Sequence, residues 1–138
     1  MSDDRNDSDL LYRQVHPSHC TEGSPNSQAF NPTPKDEGKL SVDDARKVSP
    51  EESYRHFTDD LGLTSAGTWA VSVEEVNDRE GLVIVSDPIE GEEDSTQNNP
   101  AHTLIDFNSL DSKGKRKRWA QALAILATAR GCLYDAAG

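Results

Sequence analysis

The chain has 138 residues, a formal net charge of −11 and an apolar fraction of 33%. That length suits one domain able to bury roughly two-thirds of its unfolded surface, the acidity repels nucleic-acid phosphates, and no run approaches the ~20 apolar residues that span a bilayer. Two distant cysteines, Cys20 and Cys132, are too few for a disulfide scaffold, and the acidic start is no secretory signal, so a reducing, cytoplasmic setting is expected.

Residues 1–9 hold four Asp, one Arg and no apolar side chain after Met1. Such a segment cannot offset its ordering entropy. A disordered acidic tail over 1–9 and a single globular domain over 10–138 are expected. Residues 10–16 (LLYRQVH) read as a short strand that Pro17 ends. Residues 18–38 carry Pro25, Pro32, Pro34, Gly23 and Gly38 among many Ser, Thr and Asn, the composition of a loop. Phe30 is its one large apolar anchor. Residues 39–42 form a second short strand.

Ser49-Pro50-Glu51-Glu52 combines an N-cap, a first-turn proline and a capping-box glutamate. Tyr54, Phe57 and Leu61 then repeat at helical spacing, and Gly62 ends the helix. Trp69, Val71 and Val73 alternate with smaller residues, which predicts a strand. Ser72-Val73-Glu74-Glu75 opens a short helix reaching Arg79. Leu82-Val83-Ile84-Val85 is continuously apolar and reads as a strand buried on both faces. Residues 90–100 are an acidic surface loop, and residues 102–107 a further strand. Asp111 or Ser112 caps the longest helix, over 113–130. Its apolar face is Trp119, Ala122, Leu123, Leu126 and Ala129, with Ile125 beside it, and Gly131 stops it. Cys132-Leu133-Tyr134 is a tail that packs back on the sheet. The expected fold is α/β of the α+β kind: one domain with a small mixed β-sheet and about three helices packed on it.

Arg13-Gln14-Val15-His16-Pro17, Ser27-Gln28-Ala29-Phe30, Pro32-Thr33-Pro34-Lys35-Asp36 and Leu40-Ser41-Val42 together form a distinctive string. In it the chain resembles a family of small prokaryotic proteins with no established activity, and the likeness runs more weakly over about residues 11–134. Many members carry Gly before the paired polar residues; this chain reads Gly23-Ser24-Pro25-Asn26-Ser27. The resemblance implies no catalytic residue.

Three constellations carry candidate chemistry. Arg13, His16 and Ser27 resemble the layout of ADP-ribosyltransferase-like folds. There an Arg or His grips dinucleotide phosphate and ribose, and an Arg fork suits phosphate. No motif places the glutamate such folds use. The plainer reading is a loop stiffened by prolines, with Phe30 in the core and Arg13 paired to Asp36. His16, His19 and Cys20, with His102, have ligand chemistry but no standard zinc spacing, so no metal is expected. Lys113, Lys115, Arg116, Lys117 and Arg118 open a helix in an acidic chain. Positive charge there opposes the helix macrodipole. The run offers an acidic partner or RNA a surface, or is a solvated face.

Residues 1–112 sum to −16 and residues 113–138 to +5. High-salt adaptation explains such acidity as well as a choice of partner does. The favoured expectation is an accessory module that docks a protein partner through residues 16–42, with Phe30, Lys35, Asp36, Lys115 and Arg116 as binding candidates. The alternative is a nucleotide-dependent transferase with Arg13, His16 and Ser27 as catalytic candidates. No cofactor and no membrane partner are expected, and nucleic acid only through residues 113–118.

Overall fold

The computed structural model describes residues 5–136. They form one α/β domain built on a six-stranded sheet. The strands are β1 (Leu10–Gln14), β4 (Lys39–Asp44), β5 (Gly67–Ser72), β6 (Val83–Ser86), β7 (His102–Asp106) and β8 (Tyr134–Asp135). Their order across the sheet is β6-β7-β4-β1-β5-β8. A two-residue ladder, β2 (Cys20–Thr21) with β3 (Ser24–Pro25), stands apart. The helices are α1 (Pro50–Arg55), α2 (Val73–Asn77) and α3 (Lys113–Arg130).

Every strand pairing in the sheet is antiparallel. The strand–helix–strand passages that suggest a mixed sheet have a simple resolution. β4 and β5 flank α1 in sequence and run parallel to each other, but β1 inserts between them and pairs antiparallel with both. No two adjacent strands are therefore parallel.

One face of the sheet is sealed. Leu11, Leu40, Val42, Val71 and Ile105 lie on it with Phe30, Phe107, Leu123 and Ala127, all within one core. Helix α3 lies over this face. Ser112 caps it by accepting from the Lys115 amide at 3.2 Å. Its buried residues are Ala120, Leu123, Ala124 and Ala127, a stripe rotated from the expected one. Ala129 is exposed and Ile125 is 61% exposed. The cause is the turn Ser27–Phe30, which packs under α3 and fills the space where larger side chains would have gone. At the far edge β8 presses on β5 at Gly67. A Cβ there would sit 2.7 Å from the Tyr134 carbonyl, and Gly67 has φ +152°, so only glycine fits.

The strand at residues 82–85 corrects the sequence expectation. It is the opposite edge of the sheet, with Val83 and Val85 49% and 42% exposed. A continuous apolar run is the mark of a central strand only when both faces are covered, and here only Leu82 is buried among the core residues. The first helix is also shorter than its spacing suggests. Its capping box forms at Ser49 and Glu52, but after Arg55 the chain widens into a π turn over His56–Asp60.

Of the acidic tail, residues 1–4 lie outside the described residues. Residues 5–9 run against the body. The Val73 and Glu74 amides donate to the Asp9 and Asp7 carbonyls, and the Arg5 guanidinium sits 3.7 Å from Asp44 with both side chains 3% exposed. Among the described residues no helix is long and apolar enough to cross a membrane.

Candidate functional site

The residues singled out in the sequence do not gather at one place. The Arg13 guanidinium donates to the Ala29 carbonyl at 2.8 Å and to the Ser41 carbonyl at 2.9 Å. It is a strut between the loop and β4. Burial pulls its pKa down to about 10, with the Asp36 charge opposing, so it stays cationic at neutral pH. His16 Nδ1 accepts from the Ser18 amide at 3.0 Å and caps its own turn. Ser27 begins the turn that Asn26 caps, in a groove against α3 with Lys117, Gln121 and Ile125. Arg13 and Ser27 border different cavities. Phe30 is fully buried. Asp36 accepts from the Thr33 amide and hydroxyl, each at 2.9 Å, and the neighbouring Lys35 is exposed. Lys115 lies 3.8 Å from Glu80 and over the Trp119 ring. The Arg116 Nε donates to the Leu110 carbonyl at 2.9 Å. The His16 and His19 rings lie 6.0 Å apart between centres, tilted by 55°, while His102 sits on β7. Among the described residues no group of three or more His, Cys, Asp or Glu is placed to hold a metal.

The convergence lies on the other face of the sheet. Strand alternation fixes which side chains it carries. Leu40 and Val42 point into the core, so Ser41 and Asp43 point away. In register, Tyr12 lies opposite Asp43 and Asp43 opposite His102. Tyr12, Gln14, Ser41, Asp43 and His102 therefore share one floor. The π turn supplies one wall with His56 and Phe57, followed by Leu61 and Leu63. The loop after β6 supplies the other with Ile89, Gln97 and Asn99. Gln97 Nε2 donates to the Asp60 carbonyl at 2.7 Å and ties the two walls together. Between them is a cavity of about 200 Å³. Leu61 and Leu63 are 36% and 50% exposed, so the cavity reaches the surface at an apolar rim. A single π turn widens a helix locally and recurs at functional sites; here it points the walls inward.

Behind the floor runs a closed polar network. Gln14 Nε2 donates to Ser53 Oγ at 2.9 Å and Thr68 Oγ1 at 2.8 Å. Ser65 Oγ donates to Gln14 Oε1 at 2.9 Å, and Thr68 Oγ1 to the Pro50 carbonyl at 3.0 Å. Ser53 Oγ donates to Asp43 Oδ2 at 2.7 Å and Asn99 Nδ2 to Asp43 Oδ1 at 2.9 Å. A buried network of this kind is stable only when each member is satisfied. It locks α1, β1, β4, β5 and the turn before β7 in one arrangement, which fixes the cavity's shape.

The polar groups facing the cavity are of a different kind. Among the described residues nothing bonds the Tyr12 hydroxyl, although the residue is only 7% exposed. Burial raises its pKa, so the oxygen keeps its proton and can donate. His56 Nδ1 lies 3.0 Å from Asp60 Oδ2, which leaves Nε2 for other partners. His102 Nδ1 lies 2.9 Å from the Asp87 carbonyl and 3.2 Å from Asp87 Oδ2, and its Nε2 lies 3.2 Å from Ser41 Oγ.

The sequence reading passes over Tyr12, Ser41 and His56, and places His102 only as a possible metal ligand. Their positions are scattered along the chain, and each is one polar residue in an ordinary element. The available signal is alternation in LSVDD and HTLID, which puts Ser41, Asp43 and His102 on the outward face. It becomes useful only once strand order is known.

No protein-family model, curated protein or solved structure matches the chain.

Proposed function

We propose that this chain is a binding module whose ligand site is the cavity between the π turn and the loop after β6. The observation that carries the reading is a walled, mostly apolar cavity into which a few polar groups converge. That is the usual character of a small-molecule site. Arg13, His16, Asn26 and Asp36 serve the internal geometry of residues 16–42, as a binding module rather than a dinucleotide transferase would use them. The loop enters the site through its end, at Ser41 and Val42.

The cavity bounds the ligand. About 200 Å³ holds a ring-sized group, since an apolar cavity of ~150 Å³ takes benzene. Phe57, Leu61, Leu63 and Ile89 suit an apolar body, and Tyr12 with His56 Nε2 suits one hydrogen-bonding end. A chain of charge −11 disfavours anions, so the ligand is neutral or cationic.

Thermal-shift titration with indole, phenol and benzamide tests this. A ligand at 100 times its dissociation constant adds about 2.7 kcal/mol, a rise of several degrees for a domain this size. We expect a rise for at least one neutral probe, lost in Phe57→Ala and Leu63→Asp. A rise of equal size in both variants, or none with any neutral ring, contradicts the reading.

A further inference from the structure

Two residues that line the cavity, Ser41 and His102, stand in a chain with Asp87, whose side chain is 54% exposed outside it. Ser41 Oγ is 3.2 Å from His102 Nε2. His102 Nδ1 is 2.9 Å from the Asp87 carbonyl oxygen and 3.2 Å from its carboxylate. Both partners of Nδ1 only accept hydrogen bonds. Nδ1 therefore carries the ring proton, and in the neutral imidazole Nε2 presents its lone pair to Ser41. The serine hydroxyl then donates to the ring. This is the polarity of a base-activated nucleophile, a hydroxyl on a base that a third group orients.

The setting suits that polarity. Ser41 is exposed and lines the cavity, so its oxygen is reachable. It sits in mid-strand on β4, its own carbonyl held by Arg13. His102 opens β7 and is paired across to Asp43. Both are thus placed by strands, which hold geometry more tightly than loops.

We propose that the cavity is an acyl-transfer centre in which Ser41 is the nucleophile, His102 the general base and Asp87 a positioning residue. The proposal rests on the reading of this cavity as a ligand site. The substrate class is a small neutral or cationic ester with a ring-sized apolar part. Ser41 Oγ forms a bond to the ester carbonyl carbon as its proton passes to His102 Nε2. The bond from that carbon to the alcohol oxygen breaks, and the alcohol leaves with the proton from His102. Water, deprotonated by His102, then attacks acyl-Ser41. The acid departs and Ser41 recovers its proton. The Tyr12 hydroxyl is the cavity's available donor for the oxyanion.

The test uses the full chain with a fluorophosphonate reagent, located by peptide mass spectrometry, and with p-nitrophenyl acetate. We expect labelling at Ser41 and ester hydrolysis above buffer. Both should fall at least 100-fold in Ser41→Ala and His102→Gln and stay unchanged in Ser109→Ala. Asp87→Asn should lower kcat with KM unchanged. No labelling of the native chain, or labelling elsewhere, overturns the proposal, and mapping on the native chain does not depend on any variant folding. If neutral rings still raise the melting temperature while Ser41 stays unlabelled, acyl transfer fails and the binding reading stands. If neither occurs, both fail.

Discussion

The two faces of the sheet solve different problems. The α3 face is closed mostly with Leu, Val, Ile, Phe and Ala packed under α3 and the turn Ser27–Phe30, with Asp44 and Thr103 as buried polar members. The opposite face carries Gln14, Thr68, Ser53, Ser65 and Asp43 in a saturated network, and above Ser41 and Tyr12 it stays open. The first face stabilises through burial and tolerates no vacancy. The second holds a shape by satisfying hydrogen bonds, so part of it can be left without a lid. The cavity exists because the network behind it does not need the cavity filled.

Substitutions separate the two faces, and the largest effect belongs to the first. Leu123→Ala removes a fully buried side chain and is expected to cost about 3–5 kcal/mol, the range for buried Leu→Ala, read as a urea midpoint shift with the slope unchanged. The cavity's probes should still bind to what remains folded. Gln14→Leu takes one hydrogen bond each from Ser53, Thr68 and Ser65, which keep Asp43, the Pro50 carbonyl and the Gly67 backbone, and is expected to cost about 2 kcal/mol for three lost buried bonds. This variant should also weaken ring binding, which Leu123→Ala should not. Equal effects of the two on binding would erase the distinction.

Acid offers a third way to separate them. Burial alone would raise the Asp44 carboxyl, but its hydrogen bonds and charge contact with Arg46, helped by Arg5, bring it below the usual value. Glu75 behaves alike: burial raises it, and Arg130 and the Ser72 cap more than offset that. Carboxyls depressed in the folded state add stability above their unfolded pKa and lose it as pH falls through the folded one. Stability measured by urea at about pH 7 and about pH 3 should therefore drop, and Glu75→Gln should shrink the drop. A drop unchanged in that variant would remove Glu75 from the account. The smallest effect is expected on the edge strand. Val85→Thr, at a 42% exposed position, should stay within about 0.5 kcal/mol; a central strand buried on both faces would lose far more.

What the sequence reveals follows the range of the interactions. Ser49, Ser72 and Ser112 cap helices through neighbours three residues away, and each forms as the pattern implies. The return of the C-terminal tail onto the sheet is legible too, through its own apolar residues, although it pairs Gly67 with Asp135 and Thr68 with Tyr134, far apart in sequence. The insertion of β1 between β4 and β5 is not local, and part of the site depends on it. Ser41 and His102 meet through the equally non-local β4–β7 pairing, Tyr12 joins them through β1's place beside β4, and His56 only through a π turn that helical spacing cannot distinguish from a continued helix. Residues 16–42 look functional because their polar side chains are dense. Many of those side chains hold the loop's own turns instead, and the end of the loop contributes Ser41.

The measurement that bears most directly on the account is an NMR titration of the full chain with neutral ring compounds, following the His56 and His102 ring protons and the Tyr12 and Phe57 resonances. The account predicts saturable shifts at these four residues, with none at the groove formed by Ser24, Ser27 and Ile125. Shifts confined to that groove, or no saturable shift at the four, would contradict it.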